Sequence, residues 1–333
     1  MSGLIEIVDA GIGNSLQDLG RFGYRHMGIA VSGQPDPILA RCANALVGNP
    51  PDCACIEIRA AGPALAVRQG RVRLALAGSI NATLVRADGS EYDVPPWQSI
   101  SLDPGEELQV GFLPGGTAYL AVSGGFLPQL ELGSRSTYLR AGIGVPISFG
   151  QQIPCGALSL RGAHEFTAAP WQHDAGPIRV MPGPQDDHFK SEALADLVTH
   201  PYVASAQSDR MGMRLEGMAL AHLTPAAADI VSDGVTPGVI QVPANGQPII
   251  LLADCQTVGG YPKIGTVISA DLPRLAQVQP GQEIRFQWVD AAQAKAALLA
   301  LETRWKWWAY AIAYGLPGAA LPHDLRAGWP LPQ

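Results

Sequence analysis

The run Asp254 to Lys263, DCQTVGGYPK, sets Asp254, Gln256, Thr257, Gly259, Gly260, Tyr261 and Lys263 within ten positions. Each has a chemical use. Gly259 and Gly260 allow φ > 0 and leave backbone N–H groups uncovered, so a carboxylate or phosphate could approach them closely. Pro262 fixes its own φ and pushes Tyr261 toward extended geometry, which gives Lys263 a defined direction. Lys263 can then serve as a cation or, if desolvated, as a base. A Gly-rich turn stiffened by proline, with a solvated lysine after it, has the same appearance. A second polar group lies in the loop Leu132-Gly-Ser-Arg-Ser-Thr137, where Arg135 suits either carboxylate or phosphate binding or a surface ion pair.

The elements that must position these residues are mostly strands. Ile249-Ile250-Leu251-Leu252-Ala253 is a short, β-branched apolar run bounded by turn residues, so Asp254 stands at the rim of a buried strand. Upstream, Leu4 to Val8 alternates as a strand, and Asp36-Pro37 opens a helix with Asp at the N-cap and Pro at its first position. An Asp88-Gly89 hairpin signal follows among short strands. The plan then repeats: SLDPGEELQVGF (Ser101 to Phe112) matches QVQPGQEIRFQW (Gln277 to Trp288), and the same offset sets Leu76-Ala77-Gly78 on Leu252-Ala253-Asp254. Arg21 to Arg25 likewise resembles Arg210 to Arg214. The chain reads as a duplicated β-rich unit, with the chemistry concentrated in the second copy. The first copy would occupy residues 1–168 and the second 177–304, joined by the linker AAPWQHDAGP. Asp290 with Gln293 forms a capping box for a helix to about Arg304. Residues 305–333 form an aromatic tail, with Trp305, Trp307, Trp308, Tyr310, Tyr314 and Trp329, which packs on its own domain or on another subunit.

Composition excludes several classes. With 47% hydrophobic and 15% charged residues, 38 Gly and 28 Pro, this is a folded, turn-rich chain. A net charge of -7 without a Lys/Arg block argues against nucleic acid as a partner. Five cysteines at no zinc or disulfide-scaffold spacing fit reduced thiols in a cytoplasm. No apolar run approaches the ~20 residues of a membrane span, and no signal peptide is visible. None of the seven histidines stands at catalytic spacing from a Cys or Asp, so no metal centre and no Ser-His-Asp site is expected.

SLQDLGRFGY, SGQPD, ANALVGN, LGSRST, MPGPQ, SDRMGMRLEG and GVIQVPANGQPIILLADCQTVGGYPKIGTVISADLPRLAQVQPG together resemble the urea amidolyase-related family, which includes the proteins called allophanate hydrolase subunit 2 and the C-type subunits of 5-oxoprolinase. The resemblance implies a mainly β fold, two tandem cyclophilin-like β-barrel subdomains with a few short helices, and kinship with biotin-dependent carboxyltransferase domains. It implies an ATP-dependent hydrolase acting on a cyclic amide, 5-oxoproline to glutamate, active with B and A subunits. The alternatives are a carboxyltransferase-like subunit of a urea carboxylase system and a non-catalytic antagonist of a kinase-inhibitor protein. The chain has no Met-Lys-Met biotin site and no GxxxxGK[ST] loop, so it carries no biotin, and ATP would be a substrate of the complex. On this reading Lys263 and Arg210 stabilise developing negative charge with the Gly259-Gly260 backbone, and Asp254 serves proton transfer or amide recognition. Gln256, Thr257, Tyr261 and Gln241 would orient the substrate, with Arg135 as a further binding residue.

Overall fold

The computed structural model describes residues 2–157 and 166–314. Trp329 of the aromatic tail lies outside the described residues. The fold class is the expected one, mainly β in two consecutive barrel-like halves with a few helices. In the first half a six-stranded sheet faces a five-stranded one. Their inward positions, including Ile5, Ile7, Ile56, Leu65, Leu74 and Leu120, form one apolar core. The alternation read at Leu4 to Val8 is a strand, Ser2–Asp9, whose Ile5 and Ile7 are fully buried because every second side chain points inward.

The second half is built on one eight-stranded sheet with a short two-stranded ribbon beside it. Its two edge strands, Glu283–Ile284 and Phe286–Trp288, are separated in sequence by Arg285 alone, so the two ends of the sheet meet and the barrel nearly closes. Closure removes exposed strand edges. Inside it, Val239–Gln241 lies between Ile249–Leu251 and Lys263–Val267, all antiparallel.

Helix α1, Pro37–Leu46, begins as its caps dictate: the Asp36 carboxylate accepts from Leu39 N at 3.0 Å and Pro37 occupies the first turn. Its apolar face, Ile38, Leu39, Cys42, Ala43 and Leu46, is buried. Helix α2 spans Ser191–Thr199 and helix α3 is one turn, Leu272–Leu275. Helix α4, Ala291–Ala313, opens with the Asp290–Gln293 capping box and runs past Arg304, carrying Trp305, Trp307, Trp308 and Tyr310 as helix rather than as a separate tail. Trp308 is buried, donates to Ala169 O at 2.9 Å and meets Trp97 edge to face at 6.1 Å. Trp97 and Trp308, with the α1 face, Ile268, Ala270 and Val289, form a separate core that fastens one half to the other. Burying each large side chain there contributes about 1.5–3 kcal/mol.

Candidate functional site

The polar residues singled out in the second half fall into two groups. The first centres on Arg210, just before the strand Gly212–Gly217, and Asp254, just after Ile249–Leu251. These strands pair Gly212 with Leu251, which brings both residues to one end of the barrel. Arg210 Nε and Nη2 donate to the two Asp254 oxygens at 2.9 and 3.2 Å, Nη1 donates to both Glu57 oxygens at 2.6 and 2.5 Å, and Nη2 also donates to Gly33 O at 2.7 Å. All five guanidinium N–H donors are thereby occupied. Burial lowers the pKa of Arg210, but the charges of Glu57 and Asp254 more than reverse this and hold it above the ordinary arginine value. Arg210 thus has no donor left for a substrate anion and acts as a positioning residue. It clamps Asp254, from the second half, to Glu57 and Gly33, from the first.

Around Asp254 stand further groups. Arg21, fully buried, contributes positive charge toward Asp254 and donates to Ser136 O and Glu131 O at 2.7 and 3.0 Å. Burial and then the Asp254 charge push the Tyr138 phenol up, so it stays protonated at neutral pH. Arg25 donates to the carbonyls of Val235 and Gln256 and lies beside Cys255. Burial pushes the Cys255 thiol up even so, and it does the same to Cys42, Cys53, Cys55 and Cys155. None of the five is a thiolate nucleophile at neutral pH.

The second group centres on Lys263. In the sheet Gln241 pairs with both Lys263 and Ile249, whereas Leu251 lies two residues further along its strand. Lys263 therefore stands roughly 7 Å or more from the Arg210–Asp254 end. Lys263 is buried, and its Nζ bonds the Asp233 carboxylate and donates to Gly234 O at 3.2 Å. Gln241, also buried, donates to Tyr261 O and accepts from Gln256 Nε2, both at 3.3 Å. Thr257 O accepts from Val235 N at 3.1 Å. The segment 254–262 thus bridges the two groups, with Gln256 as the contact that reaches from one toward the other.

The glycine pair behaves differently from the expectation. Neither Gly259 nor Gly260 has a positive φ. Val258–Gly259 instead pairs antiparallel with Asp233–Gly234 in a two-stranded ribbon, and Gly260 O accepts from Ile230 N at 2.8 Å. A Cβ at 259 would crowd Gln241 Nε2, so the end of that side chain would have to shift. Arg135 joins neither group: its backbone N–H donates to Asp18 Oδ2 at 2.6 Å, and its charge acts on Cys53 in the first half.

Several participants were not singled out as site residues. Glu57 sits in the fully buried strand Cys55–Ile58, and a charge inside CIEI was its signal. Asp233 and Gln185, whose Oε1 accepts from Lys263 N at 3.3 Å, gave none. Nor did sequence spacing reveal that His173 Nε2 lies 2.8 Å from the buried Asp36 carboxylate. Among the described residues no group of three or more His, Cys, Asp or Glu could hold a metal, and no helix is long and apolar enough to cross a membrane. A cavity of about 400 Å³ lies elsewhere, at the linker, lined by His173, Arg274, Gln277 and Arg285 among others. Its polar walls already have internal partners: Asp36 for His173 and Gln277, Asp271 for Arg274, Glu283 for Arg285.

Comparison with known proteins places this geometry. The chain is 35% identical over 290 residues to the 5-oxoprolinase C-type subunit of Escherichia coli (strain K12), covering 85% of this chain and 90% of that one. It is 29% identical over 316 residues to a putative urea carboxylase of Emericella nidulans, covering 89% of this chain and 25% of the larger protein. The crystal structure of the K. lactis urea amidolyase superposes with a TM-score of 0.80 at 24% identity over 92% of this chain and 20% of that one, a likeness of fold. Residues 27–288 match the carboxyltransferase domain, subdomain A and B, and the chain belongs to that family.

Proposed function

We propose that this chain is a subunit of an ATP-dependent 5-oxoprolinase, converting 5-oxoproline to glutamate together with A- and B-type subunits. The observation that carries the reading is Lys263: a buried ammonium on the strand position that pairs with Gln241, whose side chain in turn bonds Gln256, on the segment that also holds Asp254. The E. coli relative, named as a 5-oxoprolinase subunit, supports the substrate. A lactam carbonyl is a poor electrophile. Transfer of the terminal phosphoryl group of ATP to the lactam oxygen yields an imidate-like ester, water adds to its carbon, the ring C–N bond breaks to leave an acyl phosphate with a free amine, and a second water hydrolyses the acyl phosphate to release phosphate. The products are glutamate, ADP and phosphate. Negative charge develops on oxygen along this path, and a cation held in a site of low dielectric stabilises it. Lys263 supplies that cation, or pairs with the carboxylate of 5-oxoproline, while the Gln241 and Gln256 amides orient the lactam. Asp254, held by Arg210, would accept or return a proton on this reading.

The match to a carboxyltransferase domain favours a second reading, in which Lys263 and the neighbouring donors hold a carboxyl group passed from carboxybiotin on a partner to a substrate nitrogen. The test is glutamate formation from 5-oxoproline and ATP by the chain alone and mixed with its A and B subunits, with and without avidin. Glutamate formed only by the mixture, and insensitive to avidin, supports the first reading. Failure of an assembled mixture to make glutamate, with avidin-sensitive carboxylation of a urea-type substrate, supports the second.

A further inference from the structure

The two members of the Lys263–Asp233 pair have unequal surroundings. The lysine side chain is 3% exposed and the aspartate side chain 58%. Lys263 belongs to a strand in the interior of the eight-stranded sheet. Asp233 belongs to a projecting segment in which Val231, Ser232, Asp233 and Gly234 are all exposed. Four backbone features attach that segment: the pairings of Asp233 with Gly259 and Gly234 with Val258, and the bonds Ile230 N to Gly260 O and Val235 N to Thr257 O. A two-residue ribbon of this kind is marginal by itself. Side chains fasten it at two places, Lys263 through Asp233 and Gly234 O and Arg25 through Val235 O, and only the first is an ion pair.

A buried ammonium cannot be left without an anion, but the anion need not come from the chain. Exchanging the Asp233 carboxylate for that of a small molecule keeps the charge at Lys263 Nζ balanced, and it moves Asp233 only from a partly solvated place to a fully solvated one. From this geometry we infer that Asp233 holds the place of a ligand carboxylate: a small carboxylate displaces it from Lys263, and the segment 230–235 is released as the ligand enters. Asp233 is thus a specificity-determining residue that reserves Lys263 for an anion able to outcompete it. The identity of the ligand as 5-oxoproline rests on the function proposed above; the exchange itself does not.

The competition has a measurable sign. Removing a competitor raises the fraction of binding-competent protein, so Asp233→Asn tightens carboxylate binding by roughly two- to fivefold, the range expected of a solvent-exposed ion pair. The experiment is amide hydrogen exchange at Ile230 and Val235 in the full chain, titrated with acetate and with 5-oxoproline against a chloride control of equal ionic strength. In wild type, exchange at both amides accelerates with either carboxylate and not with chloride. In Asp233→Asn it is fast without ligand, and the variant binds carboxylate more tightly by that factor. Exchange in wild type that ignores acetate, or Asp233→Asn and Asp233→Ala variants that bind carboxylate more weakly than wild type, would overturn the inference. A response to acetate but not to 5-oxoproline would uphold the exchange and count against the proposed substrate.

Discussion

Replacing Arg210 by Met removes the one cation shared by two buried carboxylates. Glu57 is fully buried and Asp254 nearly so, and Arg210 supplies two hydrogen bonds to each. Deleting one partner of a buried ion pair strands the other charge, at a cost of about 3–5 kcal/mol. For a chain of 333 residues, at an unfolding entropy of about 2.1 cal/mol/K per residue, that is a fall in Tm of roughly 4–7 °C. Thermal and urea unfolding followed by circular dichroism measure it. Two features separate this account from simple loss of packing. The deficit narrows as acidification protonates the orphaned carboxylates. The double variant Arg210→Met/Glu57→Gln recovers about 1–3 kcal/mol relative to Arg210→Met, because one stranded charge is gone. An Arg210→Met protein within about 1 kcal/mol of wild type, the size of a surface ion pair, would refute the reasoning.

Other outcomes follow from single contacts. Gly259→Ala forces Gln241 out of its place and costs about 1–3 kcal/mol, read as a lower urea midpoint; an unchanged midpoint would mean that the Gln241 amide is not confined. Asp36→Ala leaves Leu39 N, His173 and Gln277 without their shared acceptor and lowers stability by about 1–3 kcal/mol, whereas Asp36→Asn keeps the helix cap and loses less. The hydrogen bond from Lys263 holds the Asp233 carboxyl below its ordinary value of 3.8, so the pair is fully formed above that pH and is lost as pH falls through the depressed value. The protection factor of the ribbon amides, exchange taken relative to its intrinsic rate at each pH, should therefore fall with acid only below pH 3.8; a fall already between pH 5 and 7 would contradict the assignment.

What could be read from the chain beforehand was what local chemistry determines. Asp36-Pro37 sets the start of α1 and Asp290 with Gln293 that of α4, because caps act within one turn. The end of α4 was misplaced at Arg304 because no Gly or Pro stops the helix before Gly315, and Trp305 and Trp308 pack between the two halves. The run DCQTVGGYPK was legible as a polar segment at the rim of a buried strand, but the reason for its glycines was not. Room for the Gln241 side chain is a contact between strands, which no local preference for positive φ signals. Likewise Arg210 looks like a substrate cation in sequence, and only the arrival of Glu57 from the other half exhausts its donors. Asp233 gave no signal because Asp-Gly reads as an ordinary turn, and its partner is thirty positions away.

The most direct test of the central claim, that charge on the substrate is met by Lys263, is glutamate formation by this chain assembled with its A and B subunits and carrying Lys263→Met, assembly being verified by gel filtration. A loss of about 10²–10³-fold in kcat/KM with the complex intact is predicted. A wild-type rate from an intact complex containing Lys263→Met would contradict it.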